Sequence, residues 1–349
     1  MFAGYYRKKR ILVTGDTGFK GSMLCRILSM YGAEVVGYAM SPPTEPSLYE
    51  ILHVSDSIHH VEGDIRDYAK LRSVVEQLQP EIVFHLAAQP IVRESYRDPI
   101  YTYETNVMGT VHVCECIRNS KSVRSFLNVT TDKVYENEDL GIAFSEDMPL
   151  DGHDPYSNSK SCSELVTHSY TKSFLKEKGV AVSTARAGNV IGGGDFAKDR
   201  IIPDCVRAAT AGKDILVRNP HSIRPYQHVL EPLYVYLLIA MEQEQHPDRQ
   251  GSYNVGPDDS NCITTGELAE LFCACWGEGI GWSSRQEQGP HEAGFLKLDC
   301  SKLKDTFAWQ PRWNVKETVH RTVEWYKAYF NAEDMQGITN RQIGEMFDV

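Results

Sequence analysis

The sequence predicts an α/β protein: a doubly wound parallel sheet with a smaller, mixed α/β lobe towards the C-terminus. Three observations carry that fold class. Short apolar runs rich in Val and Ile alternate with helix-period stretches from residue 11 to residue 186, the pattern of parallel strands joined by crossover helices. The first run leads at once into Gly15-Asp16-Thr17-Gly18-Phe19-Lys20-Gly21, a glycine turn joining strand to helix. Polar residues then collect just past later strands, at Thr131-Asp132-Lys133 and at Asn189, where open α/β sheets place their ligands. Together these features describe a Rossmann-type sheet.

The first strand is read at residues 11–14. Glycines let the turn after it bend tightly and approach a pyrophosphate, whose charge suits the free amides of the helix start. Gly15, Thr17, Gly18, Phe19, Lys20 and Gly21 are therefore candidate cofactor residues. The helix shows in Leu24, Ile27 and Leu28, and the second strand covers residues 34–39. An acid that selects NAD normally stands about twenty residues past the glycines. Here Met40, Ser41 and Pro42 follow the strand, with no nearby Arg to hold a 2′-phosphate, so NAD and NADP both stay open.

Residues 61–67 close a third strand. There Asp64, next to Ile65, either accepts from an adenine amino group or caps a helix beginning near Arg66. That helix stops before Pro80, and residues 81–89 read as a buried strand opening into Leu86-Ala87-Ala88-Gln89, where the small side chains leave room for a flat ring or a ribose. His85 lies inside the apolar run and reads as a core histidine. A helix at about 101–118 carries Asn106 and Gly109 on its inner part, and strand 126–130 delivers Thr130, Thr131, Asp132 and Lys133.

After an irregular loop, Asp154-Pro155-Tyr156-Ser157-Asn158-Ser159-Lys160 starts a helix running to about 178. Positions i and i+4 share a helix face, so the ammonium is expected to lower the phenol from its usual value near ~10 towards neutrality. Such a tyrosine can exchange a proton with a sugar hydroxyl. Residues 180–186 form a sixth strand, and Ala187-Gly188-Asn189-Val190-Ile191-Gly192-Gly193-Gly194-Asp195 reads as a substrate loop. In the less regular segment beyond, Ile223-Arg224-Pro225-Tyr226-Gln227-His228 sets a guanidinium beside an aromatic ring, suited to a bidentate grip on a diphosphate. A helix at about 231–241, a strand at 253–255, a helix capped by Thr264 or Thr265 that runs through Trp276, and a final amphipathic helix with Trp325 and Tyr326 complete the chain.

With 349 residues, 42% hydrophobic and 24% charged, the chain can bury a sizeable core. A net charge of -11 excludes a broad nucleic-acid surface. The nine scattered cysteines lack zinc-ribbon spacing and are expected to be reduced thiols of a cytoplasmic protein. No secretory signal is read at the N-terminus, and the longest apolar run, 233–241, falls short of the ~20 residues that span a bilayer.

Thr14-Gly15-x-x-Gly18-Phe19-x-Gly21, His85-Leu86-Ala87-Ala88-Gln89, Thr130-Thr131-Asp132-Lys133-Val134-Tyr135 and Tyr156-x-x-x-Lys160 stand in the order found in extended short-chain dehydrogenase/reductases that act on nucleotide sugars. The chain resembles that family up to about residue 330. Gly18-Phe19-Lys20-Gly21, Gln89-Pro90-Ile91-Val92-Arg93-Glu94-Ser95-Tyr96, Gly192-Gly193-Gly194-Asp195-Phe196 and the stretch from Arg224 are most similar to its subgroup that dehydrates CDP-glucose.

The resemblance implies NAD held by the glycine turn, Asp64, Ile65, Leu86, Ala87, Ala88, Gln89, Asn106, Thr130, Tyr156 and Lys160. It implies a nucleotide sugar, CDP-glucose, held by Gln89, Arg93, Asn189, Arg200, Arg224, Gln227 and His228, and no metal. Residues 1–186, with about 226–255, would form the dinucleotide domain, and 187–225 with 256–349 the nucleotide-sugar lobe. A homodimer or dimer of dimers would pair through the helices near 101–118 and 156–178.

In the implied chemistry Tyr156, as phenolate, takes the C4 hydroxyl proton, Lys160 stabilises it, and Thr131 holds the same hydroxyl. Asp132 protonates the departing C6 hydroxyl, while Lys133 or a water it orients removes the C5 proton. The dTDP-glucose relatives carry Asp-Glu where this chain has Asp132-Lys133, and a lysine is a base only when neutral. A dehydratase or C4 epimerase for a GDP-, UDP- or dTDP-sugar, and a dinucleotide-sensing binding protein, are the other readings. The Asp132-Lys133 pair favours dehydration, and the intact Thr131, Tyr156 and Lys160 favour an enzyme.

Overall fold

Seven parallel strands form one sheet in the spatial order Ser252–Val255, Ala181–Ala187, Ser125–Val129, Ile82–His85, Arg10–Thr14, Glu34–Ala39 and His59–Glu62. The computed structural model describes residues 1–137, 141–277, 279–284 and 295–347. The chain starts at Arg10–Thr14, winds outwards to His59–Glu62, then returns to Ile82–His85 on the other flank. The topological switch point therefore lies between Arg10–Thr14 and Ile82–His85, and a crevice opens outside their carboxyl ends. Gly15 and Ala87 face each other across it. At φ +80°, Gly15 lies so close to Ala87 that an added Cβ would stand 2.8 Å from the Ala87 nitrogen.

The inner strands Arg10–Thr14, Ile82–His85 and Ser125–Val129 are largely buried because both faces of the sheet are covered. Leu24, Ile27 and Leu28 of helix Phe19–Met30, together with Leu233 and Leu237 of helix Leu230–Gln245, fill one side. Leu71, Val75, Val113 and Ile117 of helices Tyr68–Leu78 and Gly109–Asn119 fill the other. Leu230–Gln245 is apolar all round because it packs between the sheet and helix Met335–Phe347.

Outside this sheet lie helices Ile201–Thr210, Thr265–Trp276 and Val315–Phe330 and three two-stranded pairings. Val190–Ile191 pairs with Gln227–His228, Ile223–Pro225 with Cys262–Thr264, and Ile215–Val217 with Trp282–Ser284. Thr264, not Thr265, caps its helix, in a reciprocal capping box with Glu267.

Local structure departs from the sequence reading in four places. The helix expected at 101–118 is Pro99–Tyr103, a π turn Glu104–Met108 and then Gly109–Asn119. The one expected to reach 178 is Pro155–Tyr170 followed by a π turn Thr171–Leu175. Each wide turn adds a residue to the helix ladder, which periodicity does not show. A short helix, Phe2–Tyr6, precedes the first strand, its Phe2 and Tyr6 buried. Trp325 and Tyr326 lie on Val315–Phe330, which is not last; Met335–Phe347 follows and covers Leu230–Gln245. All nine cysteines are free thiols, and among the described residues no helix is long and apolar enough to cross a membrane.

Candidate active site

A cleft of about 1260 Å³ runs along the carboxyl ends of the strands. Single small-molecule pockets measure roughly 300–1,000 Å³, so this one has room for two ligands side by side. One end is lined by the glycine turn, Asp64, Ile65 and Leu86 to Ala88, the middle by Thr130 to Lys133, Tyr156 and Lys160, and the far end by Asn189, Arg200, Arg218 and Arg224. In a chain of net charge -11 this concentration of Lys and Arg suits anionic ligands.

At the dinucleotide end, Gly18 caps helix Phe19–Met30 without any side-chain hydrogen bond to its amides. Those N–H groups are left to an anion. Asp64 does not cap the next helix. Asp67 does so, through Lys70 N at 3.0 Å, while the Asp64 carboxylate takes the Arg66 amide at 2.9 Å and its guanidinium at 2.7 Å. Thr17 hydroxyl donates to Met40 O at 2.9 Å and ties the turn to the end of the second strand.

In the middle, Ser125–Val129 ends in Thr130 and Thr131, and a single 3₁₀ turn presents Asp132 and Lys133. Asp132 is 1% exposed. Its Oδ1 accepts from the Thr131 hydroxyl at 3.0 Å, and its buried Oδ2 has no partner among the described residues. Burial raises its pKa, against the pull of Lys133, Thr131, Arg224 and Lys20. Lys133 is half-buried and also faces the cleft.

The Tyr156–Lys160 pair differs from expectation. Burial pushes the phenol up to about 12, with the Thr131 hydroxyl acting in the other direction. Burial also pushes Lys160 down to about 8, with Glu164 opposing. The ammonium donates to Val129 O at 3.0 Å. Sharing a helix face does not make the lysine lower the phenol, because desolvation outweighs the pair.

Four candidates do not line the cleft. Gln89 and Asn106 satisfy each other: Gln89 N donates to Asn106 Oδ1 at 2.8 Å, and Asn106 Nδ2 donates back to Gln89 O and to Ser159 Oγ. They brace the loop after Ile82–His85 against helix Pro155–Tyr170. Gln227 donates to Val255 O at 2.9 Å, and His228 packs against Trp313 with burial holding its pKa down to about 3. Both side chains are buried. Asn189 and Arg224 line the cleft, as do Arg93, 3.8 Å from Asp199, and Arg200, 3.3 Å from Asp195. His85 is a core residue, bonded to Thr14 at 2.7 Å and Thr110 at 3.3 Å.

Two features were missed. Arg218 enters the cleft just past Ile215–Val217, bonded to Asp199 at 2.9 Å; an Arg-Asn step after a β-rich run was the available signal. Glu164, one turn beyond Lys160, forms a buried pair with Arg186 at 2.9 Å and accepts from Thr130; the i+4 acid was visible, its distant partner was not.

The chain is matched over residues 12–322 by the family model for GDP-mannose 4,6 dehydratase. It is 45% identical to a CDP-glucose 4,6-dehydratase of Salmonella typhimurium, over 98% of this chain and 97% of that one. In fold it is similar to a UDP-glucose 4-epimerase of Thermotoga maritima solved with UDP-glucose, with TM-score 0.80, 22% identity, and coverage of 92% and 99%. A dTDP-glucose 4,6-dehydratase of Bacillus anthracis in complex with NAD gives TM-score 0.77 at 23% identity, covering 93% and 98%.

Proposed function

The chain belongs to the GDP-mannose 4,6-dehydratase family, and we propose that within this enzyme family it converts CDP-glucose to CDP-4-keto-6-deoxyglucose with tightly held NAD. One observation carries the reading: a buried carboxyl, Asp132, with an unpartnered oxygen, stands in the cleft with Thr131, Tyr156 and Lys160. Loss of water from C6 needs such a protonated acid, whereas exchange of configuration at C4 does not. The 45% identity to a CDP-glucose 4,6-dehydratase supports the sugar nucleotide.

The residues fit a dinucleotide: the tight Gly15–Ala87 approach leaves space only for backbone, and the helix amides behind Gly18 are free for phosphate. When bound, NAD would be held by the glycine turn and would supply the hydride acceptor for oxidation at C4 and the hydride donor for reduction at C6. Tyr156 takes the C4 hydroxyl proton, Lys160 stabilises the phenolate, and Thr131 holds that hydroxyl. Asp132, its proton retained by burial, gives it to the leaving C6 hydroxyl. Lys133, or a water it orients, removes the C5 proton that the C4 ketone acidifies and returns a proton to C5 as hydride reaches C6. Arg93 from the dinucleotide domain, with Asn189, Arg200 and Arg224 from the lobe formed by 187–225 and 256–349, holds the nucleotide sugar.

Exposed Ile100 (71%), Met108 (46%), Leu165 (54%) and Phe174 (42%) on the helical segments around 99–119 and 155–175 support pairing into a homodimer. Nine free thiols support a cytoplasmic enzyme, and the product suits deoxysugar supply for a polysaccharide or a glycosylated metabolite.

The test is a product screen across CDP-, GDP-, UDP- and dTDP-hexoses. A 4-keto-6-deoxy product from CDP-glucose supports the reading. A C4 epimer, preference for another nucleotide, or binding without turnover refutes it.

A further inference from the structure

Asp199 stands among arginines from both sides of the cleft. Arg93 and Arg97 come from helix Val92–Arg97, which follows the sheet strand Ile82–His85; Arg218 comes just past Ile215–Val217, outside that sheet. The Asp199 Oδ1 accepts from the Arg218 guanidinium at 2.9 Å and lies 3.8 Å from that of Arg93. The Arg218 hydrogen bond first, with the charges of Arg218, Arg93 and Arg97, holds its carboxyl below the ordinary range against burial. One charged group thus joins two walls of the cleft. The neighbouring pair of Arg200 with Asp195 is built differently. Asp195 is 4% exposed and its segment is pinned: the Tyr326 hydroxyl donates to Asp195 O, and Phe196 meets the Trp325 and Tyr326 rings edge-on. The Asp199 side chain is 40% exposed, on a backbone with φ +61°. Arg218 also bonds Asp204 of helix Ile201–Thr210 at 3.4 Å, so it keeps a partner and a direction when Asp199 swings away. Asp199 is the member of the cluster built to leave.

We propose that Asp199 is a built-in competitor of the substrate's diphosphate: it bridges Arg93 and Arg218 across the cleft and gives both up when the nucleotide sugar enters. The proposal rests on the nucleotide-sugar reading above. Diphosphate oxygens match the forked donors of a guanidinium as a carboxylate does. A carboxylate already on those guanidiniums occupies the donors and repels the incoming anion. Binding is weaker for it, and the product leaves sooner as Asp199 returns. One unit charge within about 7 Å, screened by solvent at a partly exposed site, changes affinity for an anion roughly tenfold.

The test is calorimetric binding of CDP, and of cytidine, which has the same base and ribose without the phosphates, to the parent protein and to Asp199→Asn at low ionic strength. Asn tolerates the left-handed backbone, so the substitution deletes the charge without strain. CDP is expected to bind the variant about tenfold more tightly, and cytidine to bind both proteins equally. Equal or weaker CDP binding would overturn the proposal, because Asp199 would then merely hold Arg218 in place. A matching gain for cytidine would overturn it too, as the mark of a loosened segment and not of a removed charge. If Asp199→Asn fails to fold, Asp199→Gly accepts the same backbone and is read in the same way. A parent protein that prefers GDP, UDP or dTDP refutes the CDP-glucose reading alone; the same comparison with that diphosphate and its nucleoside still decides the role of Asp199. A parent protein that binds none of the four overturns both.

Discussion

Replacing Glu164 by Gln keeps the shape of the side chain and deletes its charge. Glu164 is fully buried; it accepts from Thr130 at 2.5 Å, Thr184 at 2.8 Å and the Arg186 guanidinium at 2.9 Å. Arg186 is 1% exposed and, among the described residues, otherwise bonds just the Tyr135 hydroxyl at 2.9 Å and Glu146 O at 3.0 Å. Neither neutral group replaces a counter-ion. Breaking a buried pair from one side costs about 3–5 kcal/mol, and that loss is expected in denaturant unfolding. A second effect follows, because Glu164 is the charge that holds Lys160 up against burial. Without it the Lys160 pKa drops below about 8. A lysine is charged only below its folded pKa, so the alkaline edge of C4 oxidation moves to lower pH. Glu164→Gln combined with Arg186→Met removes the orphaned guanidinium and should recover most of the stability without restoring that edge. A single-variant loss under about 1 kcal/mol, the scale of a surface pair, or an alkaline edge that does not move, would refute the reasoning.

Tyr156→Phe is expected to abolish C4 oxidation while nucleotide binding, followed by calorimetry, persists; near-normal turnover would remove its role. Asp132→Asn should instead permit C4 oxidation and stall at elimination, seen spectroscopically as accumulating reduced cofactor. Normal dehydration by that variant would assign the acid elsewhere. Glu231 gives a stability prediction, for it accepts from Arg312 N and Trp313 N, both at 2.8 Å, while burial raises it from 4.5 to about 7. A carboxyl whose folded pKa is raised favours the protonated form, so its contribution is full below about 4.5 and is lost as pH rises through about 7. Glu231→Gln should flatten that fall, worth up to about 3 kcal/mol, when melting temperatures are compared across the same window.

The inner sheet was legible because strands such as Ile11-Leu12-Val13 and Ile82-Val83-Phe84 are buried on both faces and so appear as unbroken apolar runs. The glycine turn was legible for a geometric reason: only Gly15 tolerates the approach of Ala87. That Thr131, Asp132, Tyr156 and Lys160 line one cleft could be read from the sequence because strand ends and helix faces are local properties. What spacing cannot show is where a polar side chain points once lobes pack. Gln89 and Asn106 turned to each other, and Gln227 and His228 turned into the core. Nor can it show desolvation, which reversed the expected shift of the Tyr156 phenol. Arg186 escaped notice because its partner Glu164 lies 22 residues away in sequence and meets it only through the fold of the sheet.

The central claim is that Asp132 and a base facing it eliminate water across C5 and C6. Incubation with CDP-glucose in deuterium oxide, followed by mass spectrometry and proton NMR of the sugar, tests it directly. The account predicts a 4-keto-6-deoxy product carrying deuterium at C5. An unlabelled C5, or a sugar that keeps its C6 hydroxyl, would contradict it.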